Sequence, residues 1–308
     1  MFFATGVRCL YYSECDVKKC RELEKEILSA HKNIKKFVIS KTALCRDINA
    51  YTLGKVGGVL LCGAFHSMER LTAEILYRFL DDVCTKAEQD EVFAKSIKST
   101  GLTIVPMINP DGVEISVNGV CTAHKYSELV SESLCVAQLP HTKWQANARG
   151  VDINHNFDAG YEKVKEKEKK IGITAPSPTR YGGKYAESEK ETKALCDLCR
   201  QYEFLVAVAL HTQGREIYYD FGENTPKESL SMANAMSALS GYKVSHPSDI
   251  AVGGGFKDWF IERFCRPAFT LEVGLGENPL DPRVAVTEYE KVSKMLWYIV
   301  EYATKNAP

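Results

Sequence analysis

The sequence predicts a single α/β domain built on an open, doubly wound sheet. Apolar runs of strand length alternate with segments of helical periodicity along the chain. No linker of low complexity interrupts this alternation, and the sequence contains no internal repeat. The 308 residues are enough for one large domain with a well-buried core. We therefore expect one domain over residues 1–308, in which residues 1–44 supply an N-terminal helix and strand packed on the rest.

The composition is that of an ordinary soluble globular protein, with 45% hydrophobic and 26% charged residues. A formal net charge of −1 gives no reason to expect nucleic acid or an anionic membrane as a partner. No apolar segment approaches the roughly 18 to 20 residues of a membrane span. Residues 1–8 lack the features of a secretory signal, and the eleven cysteines follow no disulfide framework. These observations predict free thiols and a reducing, cytoplasmic location.

The first two candidate ligands, His66 and Glu69, come after the third predicted strand of the chain. An apolar strand at residues 59–65 ends at His66, Glu69 follows three residues later, and residues 70–80 have helical spacing. An imidazole and a carboxylate placed between a strand end and a helix start can converge on one point, and mixed ligands of this kind suit zinc. One His-x-x-Glu pair is also common by chance, so a third ligand is needed. The predicted elements upstream are a helix at 13–31, strands at 37–40 and 48–53, and a turn at 54–58.

The middle of the chain has weaker patterns. Residues 102–108 predict a buried strand, and the Asn-Pro-Asp-Gly sequence at 109–112 predicts a turn. Residues 113–178 show no strong periodicity, and a structureless segment of that length inside a compact domain is usually functional. The charged run at 162–170 is most simply a solvated face. A helical pattern then includes Cys196 and Cys199, which we interpret as a packed helix face because no second cysteine pair completes a metal site.

Two more apolar strands end in residues that can carry chemistry. The strand at 203–210 ends at His211, and the strand at 268–271 ends at Glu272. Open α/β sheets bind ligands beyond the carboxyl ends of their strands. The other predicted elements in this part are a short strand at 216–219 and helices at 227–240, 258–264 and 282–304.

If the strands that lead to His66, His211 and Glu272 are parallel neighbours, these three side chains meet in one crevice. His66, Glu69 and His211 would then form a zinc site with two histidines, one carboxylate and an open position. Glu272 would stand beside the site as a general base for water. Taken alone, His211 could instead cap a loop, and Glu272 could be neutralised by a nearby cation. The joint arrangement favours the metal site.

The chain resembles the zinc carboxypeptidase family, peptidase family M14, over roughly residues 45–300. The resemblance implies a mixed, mostly parallel eight-stranded sheet with helices on both faces. It also implies one zinc ion per chain on His66, Glu69 and His211, and Glu272 as base and proton shuttle. The matching segments are His66-x-x-Glu69, 109–112, Gly-Val-Asp-Ile-Asn-His-Asn-Phe at 150–157, Tyr-Ala-Glu-Ser-Glu at 185–189, His211, Asp258-Trp259 and Phe-Thr-Leu-Glu at 269–272.

The resemblance further implies an arginine that polarises the scissile carbonyl and stabilises the oxyanion. Arg149 is the candidate, since a guanidinium fork can hold an oxygen on which negative charge develops. The alternative is a solvated loop arginine.

Departures from the family pattern bear on the substrate. Family exopeptidases hold the substrate's terminal carboxylate with an Asn-Arg pair, where this chain has Asn154 and His155. Imidazole is a weaker, pH-dependent partner, with a reference pKa of about 6.5. The tyrosine that closes over bound substrate is replaced by Ile250, and Tyr242 is a distant substitute. These changes argue against ordinary C-terminal trimming.

Two features favour a different peptide substrate. Lys257 matches a family position that lines the pocket for the residue after the scissile bond. A cation there would favour a substrate with a negatively charged side chain. The alternative is a solvated lysine at a helix start. Residues 144–152 are similar to bacterial members that cut γ-D-glutamyl–diaminopimelate bonds in cell-wall peptides, and diaminopimelate carries an extra carboxylate. The resemblance thus implies a zinc peptidase acting on murein-derived peptides. The alternatives are an ordinary metallocarboxypeptidase, a zinc deacylase of N-acyl amino acids and a non-catalytic peptide-binding protein.

Overall fold

The fold is a mixed eight-stranded sheet, and the computed structural model describes residues 16–307 of it. The spatial strand order is β1-β2-β4-β3-β5-β8-β6-β7, in which β4, β3, β5 and β8 run parallel and β2 and β6 flank them antiparallel. The predicted α/β sheet is confirmed. The strands are β1 (Ile34–Lys41), β2 (Asp47–Leu53), β3 (Gly58–Cys62), β4 (Leu102–Val105), β5 (Phe204–His211), β6 (Glu216–Tyr218), β7 (Lys243–Val244) and β8 (Ala268–Glu272).

Helices cover both faces of the sheet because its central strands are apolar on both sides. In β3, Val59 and Leu61 belong to one hydrophobic cluster, and Leu60 and Cys62 to the other. Helices α1, α2, α3, α8 and α10 pack on the first face, and α7 and α9 on the second. The helices are α1 (Val17–Ala30), α2 (Leu71–Gln89), α3 (Glu91–Thr100), α4 (Pro110–Asn118), α5 (Ser127–Ala137), α6 (Tyr161–Lys170), α7 (Lys190–Gln201), α8 (Glu228–Ser240), α9 (Phe256–Phe264) and α10 (Ala285–Asn306).

The turn predicted at residues 109–112 is wrong, because this stretch starts helix α4. The Asn109 side chain caps the helix by accepting a hydrogen bond from the Gly112 N–H at 3.0 Å. Pro110 occupies the first helical position, where its missing N–H costs nothing. Asparagine, through its hydrogen-bonding side chain, and proline, through its fixed φ angle, favour both turns and helix starts. The Asn-Pro-Asp-Gly sequence is therefore compatible with either structure.

The prediction of a structureless segment at residues 113–178 is also wrong. This region contains most of α4, all of α5 and α6, and a small hydrophobic cluster around the buried Trp144. The charged run at 162–170 lies within α6, which exposes most of its charged side chains but buries Glu168. The sequence lacked a strong apolar period here because α5 and α6 bury few apolar side chains, which are Val130 and Leu134 in α5 and Tyr161 and Val164 in α6.

Cys196 and Cys199 lie on the buried face of α7, as predicted, and both are free thiols. The nine cysteines within the described residues are all free. No helix in residues 16–307 is both long and apolar enough to cross a membrane. The sequence features of residues 1–8 and the first three residues of the predicted helix at 13–31 lie outside the described part of the chain.

Candidate metal centre and catalytic site

Three candidate metal ligands come together at the carboxyl edge of the parallel strands. His66 follows β3, Glu69 ends the 3₁₀ turn Ser67–Glu69, and His211 is the last residue of β5. His66 Nδ1 lies 2.9 Å from Glu69 Oε1, and His211 Nδ1 lies 3.0 Å from Glu69 Oε2. The two Nδ1 atoms are 3.3 Å apart. One ligand atom from each of the three residues therefore points at a common centre, and these atoms lie within 4.8 Å of one another.

The donor set fits zinc. Two imidazole nitrogens and one carboxylate leave a tetrahedral zinc ion one open position, as catalytic sites require. His66 Nε2 lies 3.1 Å from Asp152 Oδ1, which places the ring proton on Nε2 and leaves the Nδ1 lone pair facing the centre. Two lone pairs and a carboxylate facing one another form a site for a cation.

Asp152, which sequence reasoning did not select, orients this centre. Its carboxylate is fully buried. The second oxygen, Oδ2, accepts hydrogen bonds from Gln145 Nε2 at 2.9 Å and from the Arg180 backbone N–H at 3.0 Å. Burial alone would raise the pKa of Asp152, but the neighbouring His66 and His155 and the hydrogen bond from the Arg180 N–H hold it well below its ordinary value. The carboxylate is therefore a permanent anchor for His66.

Glu272 lies beside the metal ligands, at the end of β8. In the parallel pair of β5 and β8 it is the direct register partner of His211, so the two side chains share a face of the sheet. Its side chain is half-buried. Burial, followed by the charge of Glu69, raises the pKa of Glu272 well above its ordinary value, and the positive charge of a bound zinc ion would act in the opposite direction.

Arg149 forms an ion pair with Glu189, an acid that is not one of the predicted metal ligands. Its Nε atom lies 3.7 Å from Glu189 Oε2, and 42% of its side chain is exposed. No hydrogen bond or ion pair joins its guanidinium to His66, Glu272 or the other predicted ligands.

The predicted carboxylate-binding pair is held rigidly. Asn154 Oδ1 accepts a hydrogen bond from the Phe256 N–H at 3.0 Å, which ties it to the start of α9. His155 is buried, and its Nδ1 has no hydrogen-bond partner within residues 16–307. Burial lowers the pKa of His155, and the charge of Asp152 offsets only part of that effect. The imidazole is therefore neutral at pH 7.

Lys257 is buried rather than solvated. Its ammonium group donates to the Asp220 backbone oxygen at 2.5 Å and forms an ion pair with Asp258. The other oxygen of Asp258 accepts a hydrogen bond from the Gly253 N–H at 2.7 Å. The charge of Lys257 is thus largely compensated within the protein, which the sequence did not indicate.

The substitute tyrosine suggested by the sequence lies in the core. Tyr242 is 1% exposed, and its hydroxyl donates to Glu288 at 2.6 Å, so it cannot close over a substrate. Tyr218 in β6 is half-buried and stands opposite Thr270 of β8, on the strand next to Glu272. The sequence alone could not indicate that Tyr218 lies on the strand next to Glu272, because this placement depends on the order of the strands in the sheet.

The loop that carries Asp152 is fixed to the start of α7. Asn147 Nδ2 donates to Glu189 Oε2 at 2.8 Å, and the Glu189 N–H donates to Asn156 Oδ1 at 3.0 Å. Glu191 lies next to this junction and is 1% exposed, with Oε1 unpaired within the described residues. Burial, with smaller contributions from nearby acids, raises the pKa of Glu191 to about 8.

Replacing Glu191 with glutamine is expected to stabilise the protein at alkaline pH. The folded protein keeps the Glu191 proton up to about pH 8, whereas the unfolded chain loses it near the ordinary value of 4.5, so wild-type stability falls as the pH rises between these values. At pH 8 the free energy of unfolding of Glu191→Gln should exceed that of wild type by on the order of a few kcal/mol, and the difference should shrink towards pH 5. Urea unfolding at several pH values measures it, with the exposed Glu162→Gln as control. A constant difference across this range would contradict the assignment.

Comparisons with known proteins agree with this architecture. Residues 21–292 match the protein family described as Zinc carboxypeptidase. The chain is 35% identical over 225 residues to Gamma-D-glutamyl-L-diamino acid endopeptidase 1 of Lysinibacillus sphaericus, covering 70% of this chain and 54% of that protein. It is 32% identical over 289 residues to the uncharacterized protein YqgT of Bacillus subtilis, covering 87% of this chain and 75% of that protein. The chain therefore spans about half the length of the first relative.

Solved structures share the fold. The bovine thrombin-activatable fibrinolysis inhibitor, solved in complex with tick carboxypeptidase inhibitor, superimposes with a TM-score of 0.73 at 17% identity. The superposition covers 97% of this chain and 100% of that one. At this level of identity the similarity concerns the fold alone.

Proposed function

Since the chain belongs to the zinc carboxypeptidase family, we propose that it is a zinc-dependent metallopeptidase that hydrolyses short murein-derived peptides at the bond between γ-D-glutamate and a diamino acid. The observation that carries the hydrolytic part is the convergence of His66, Glu69 and His211 on one centre, with Glu272 beside it on the same edge of the sheet. The substrate part is supported by the relative that is named as an endopeptidase for γ-D-glutamyl-L-diamino acid bonds.

Each residue of the site would have its own role in hydrolysis. His66, Glu69 and His211 would hold one zinc ion, which when bound lowers the pKa of water and polarises a carbonyl group. Glu272 would take a proton from the attacking water and deliver it to the leaving amine. Asp152 would keep His66 in the tautomer and orientation that a ligand needs.

Arg149 would stabilise the negative charge that develops on the scissile carbonyl oxygen. To do so it must leave Glu189. Their contact at 3.7 Å is longer than a hydrogen bond, and Arg149 is 42% exposed. The buried Glu189 would keep its hydrogen bonds from Asn147 Nδ2 and the Ser188 hydroxyl when Arg149 moves away.

The position of His155 argues against ordinary C-terminal trimming. A neutral, buried imidazole offers a terminal carboxylate no charge, whereas a guanidinium would offer a charge and two donors. A substrate whose recognition depends less on a carboxylate at this point suits the site better. A peptide recognised through its γ-D-glutamyl linkage and its diamino-acid side chain is such a substrate.

Hydrolysis of defined peptides tests this function. The zinc-loaded protein is incubated with L-Ala-γ-D-Glu-diaminopimelate, with ordinary C-terminal peptides and with N-acetyl amino acids, and the products are identified by mass. Cleavage of the γ-D-glutamyl bond is expected to dominate. Turnover of ordinary peptides alone would overturn the substrate while keeping a peptidase, and turnover of N-acetyl amino acids alone would identify a deacylase.

Exchanging His155 for arginine is expected to move the preference towards ordinary C-terminal peptides. A guanidinium that pairs with the terminal carboxylate should raise kcat/KM for such peptides by about tenfold, since a charge-assisted hydrogen bond contributes about 1.5 kcal/mol or more. Steady-state kinetics of His155→Arg and wild type on both substrate classes measure the shift, and His155→Gln controls for loss of the imidazole. Equal gains in the arginine and glutamine variants would remove His155 from carboxylate recognition.

We also propose that the protein works in a reducing compartment such as the cytoplasm. Four of its free cysteines are exposed, and oxidising surroundings would pair or oxidise such thiols. These exposed residues are Cys45, Cys121, Cys135 and Cys265.

A further inference from the structure

Strand β6 brings a second glutamate next to the proposed base. Glu216 is the direct register partner of Glu272 in the antiparallel pair of β6 and β8, and directly opposite residues share a face with Cβ atoms about 5 Å apart. Tyr218, two residues further along, lies on the same face. Glu216 is half-buried, so its side chain is partly shielded from bulk solvent.

In the part of the chain that the structure describes, no cationic side chain pairs with Glu216. Within residues 16–307 its one hydrogen bond is from the Tyr218 hydroxyl, at 2.7 Å, and no lysine, arginine or histidine forms an ion pair with it. Two cations of this region have other partners, because Arg215 pairs with Glu288 and Lys257 pairs with Asp258.

This arrangement is unfavourable whenever both groups are ionised. Two carboxylates directly opposite each other on neighbouring strands then repel, and partial burial removes some of the water that would screen them. The phenol of Tyr218 holds Glu216 in place but brings no charge. A positive group supplied by a ligand would reduce the repulsion between the two carboxylates and would give Glu216 a partner of opposite charge.

We propose that Glu216 is a specificity-determining residue that binds the side-chain ammonium group of the amino acid after the scissile bond. This assignment rests on the proposed peptidase function of the site. The metal ligands lie after β3 and at the end of β5, the base lies on β8, and Glu216 lies one strand further, on β6. A substrate whose carbonyl is at the metal and whose leaving amine is at Glu272 can therefore extend a side chain towards Glu216.

The preferred residue would then be a diamino acid such as lysine or diaminopimelate. Tyr218 would act as a positioning residue, since its hydroxyl fixes the Glu216 carboxylate. The sequence suggested a positive charge in this pocket, from Lys257, whereas this proposal places a negative charge there. The cation of Lys257 is compensated inside the protein, so the uncompensated charge beside the base is negative.

Three matched peptides test the assignment without any variant. The zinc-loaded protein is given L-Ala-γ-D-Glu-X, in which X is lysine, Nε-acetyl-lysine or norleucine, so that the chain length is similar and only the ammonium changes. We expect kcat/KM for the lysine peptide to exceed that for the norleucine peptide by about tenfold or more. Cleavage of both peptides at equal rates would overturn the role of Glu216 and leave the proposed function standing. Failure to cleave any of the three would overturn both.

Variants locate the effect. Glu216→Gln should bring the lysine and norleucine rates to within about threefold of each other, and Glu216→Lys should favour a peptide with glutamate at X. Tyr218→Phe should lower the lysine preference partly, and it keeps the test decisive if the Glu216 variants fail to fold. The exposed Glu223→Gln should keep the wild-type ratio. An unchanged ratio in Glu216→Gln or in Tyr218→Phe would overturn the assignment.

Discussion

Glu272→Gln is expected to lower kcat/KM on the γ-D-glutamyl peptide by at least about a hundredfold, because a glutamine amide cannot accept the proton of the attacking water. The substitution keeps the size of the side chain, and Glu272 is not among the proposed metal ligands. Zinc content should therefore stay at one ion per chain, and the loss should appear mainly in kcat. Steady-state kinetics combined with metal analysis of the same sample measure both quantities.

A matched control separates this role from a general effect of charge. Glu277 lies in the loop after β8, where it is 87% exposed and pairs with Lys143 at the surface. Glu277→Gln removes the same charge five positions further along the chain and should keep wild-type activity. Activity of Glu272→Gln within threefold of wild type would exclude Glu272 as the base.

Removing a metal ligand is expected to have an equally large effect through zinc itself. His211→Ala should lose bound zinc on dialysis and lose activity by several orders of magnitude, because only two protein ligands remain. Asp152→Asn keeps all three ligands but weakens the anchor of His66, so its zinc affinity should fall by about 10- to 100-fold. Chelator competition, followed by metal analysis, ranks wild type, Asp152→Asn and His211→Ala in that order.

A surface histidine supplies the control for these variants. His246 is 64% exposed and contacts Asp220, which is not one of the proposed metal ligands. His246→Ala should bind zinc as wild type does. Retention of one tightly bound zinc ion per chain by His211→Ala would show that the metal lies elsewhere.

The sequence predicted the main site because its ligands follow the strongest patterns in the chain. Strands β3, β5 and β8 are buried on both faces, so they appear as continuous apolar runs. Their ends could be located to within about three residues, since the strand predicted at 59–65 ends at Cys62. Parallel neighbours place those ends at one edge. The register that pairs His211 with Glu272 then follows from the shared edge rather than from any local signal.

The remaining parts of the site depend on contacts between residues distant in sequence. Asp152 meets His66 across 86 positions, and no local pattern encodes that hydrogen bond. Glu216 faces Glu272 only because β6 adds to the sheet next to β8. The burial of Lys257 could not be predicted either, since its neutralisation requires the adjacent Asp258 to turn towards it.

The central claim is that His66, Glu69 and His211 hold one zinc ion within reach of Glu272. Anomalous diffraction at the zinc absorption edge, from crystals of the zinc-loaded protein, tests it directly. The expected result is a single peak about 2.0 to 2.2 Å from His66 Nδ1, His211 Nδ1 and a Glu69 carboxylate oxygen, with the Glu272 carboxylate able to hydrogen-bond a water in the fourth position. A peak at other residues, or a zinc site whose open position Glu272 cannot reach, would contradict the account.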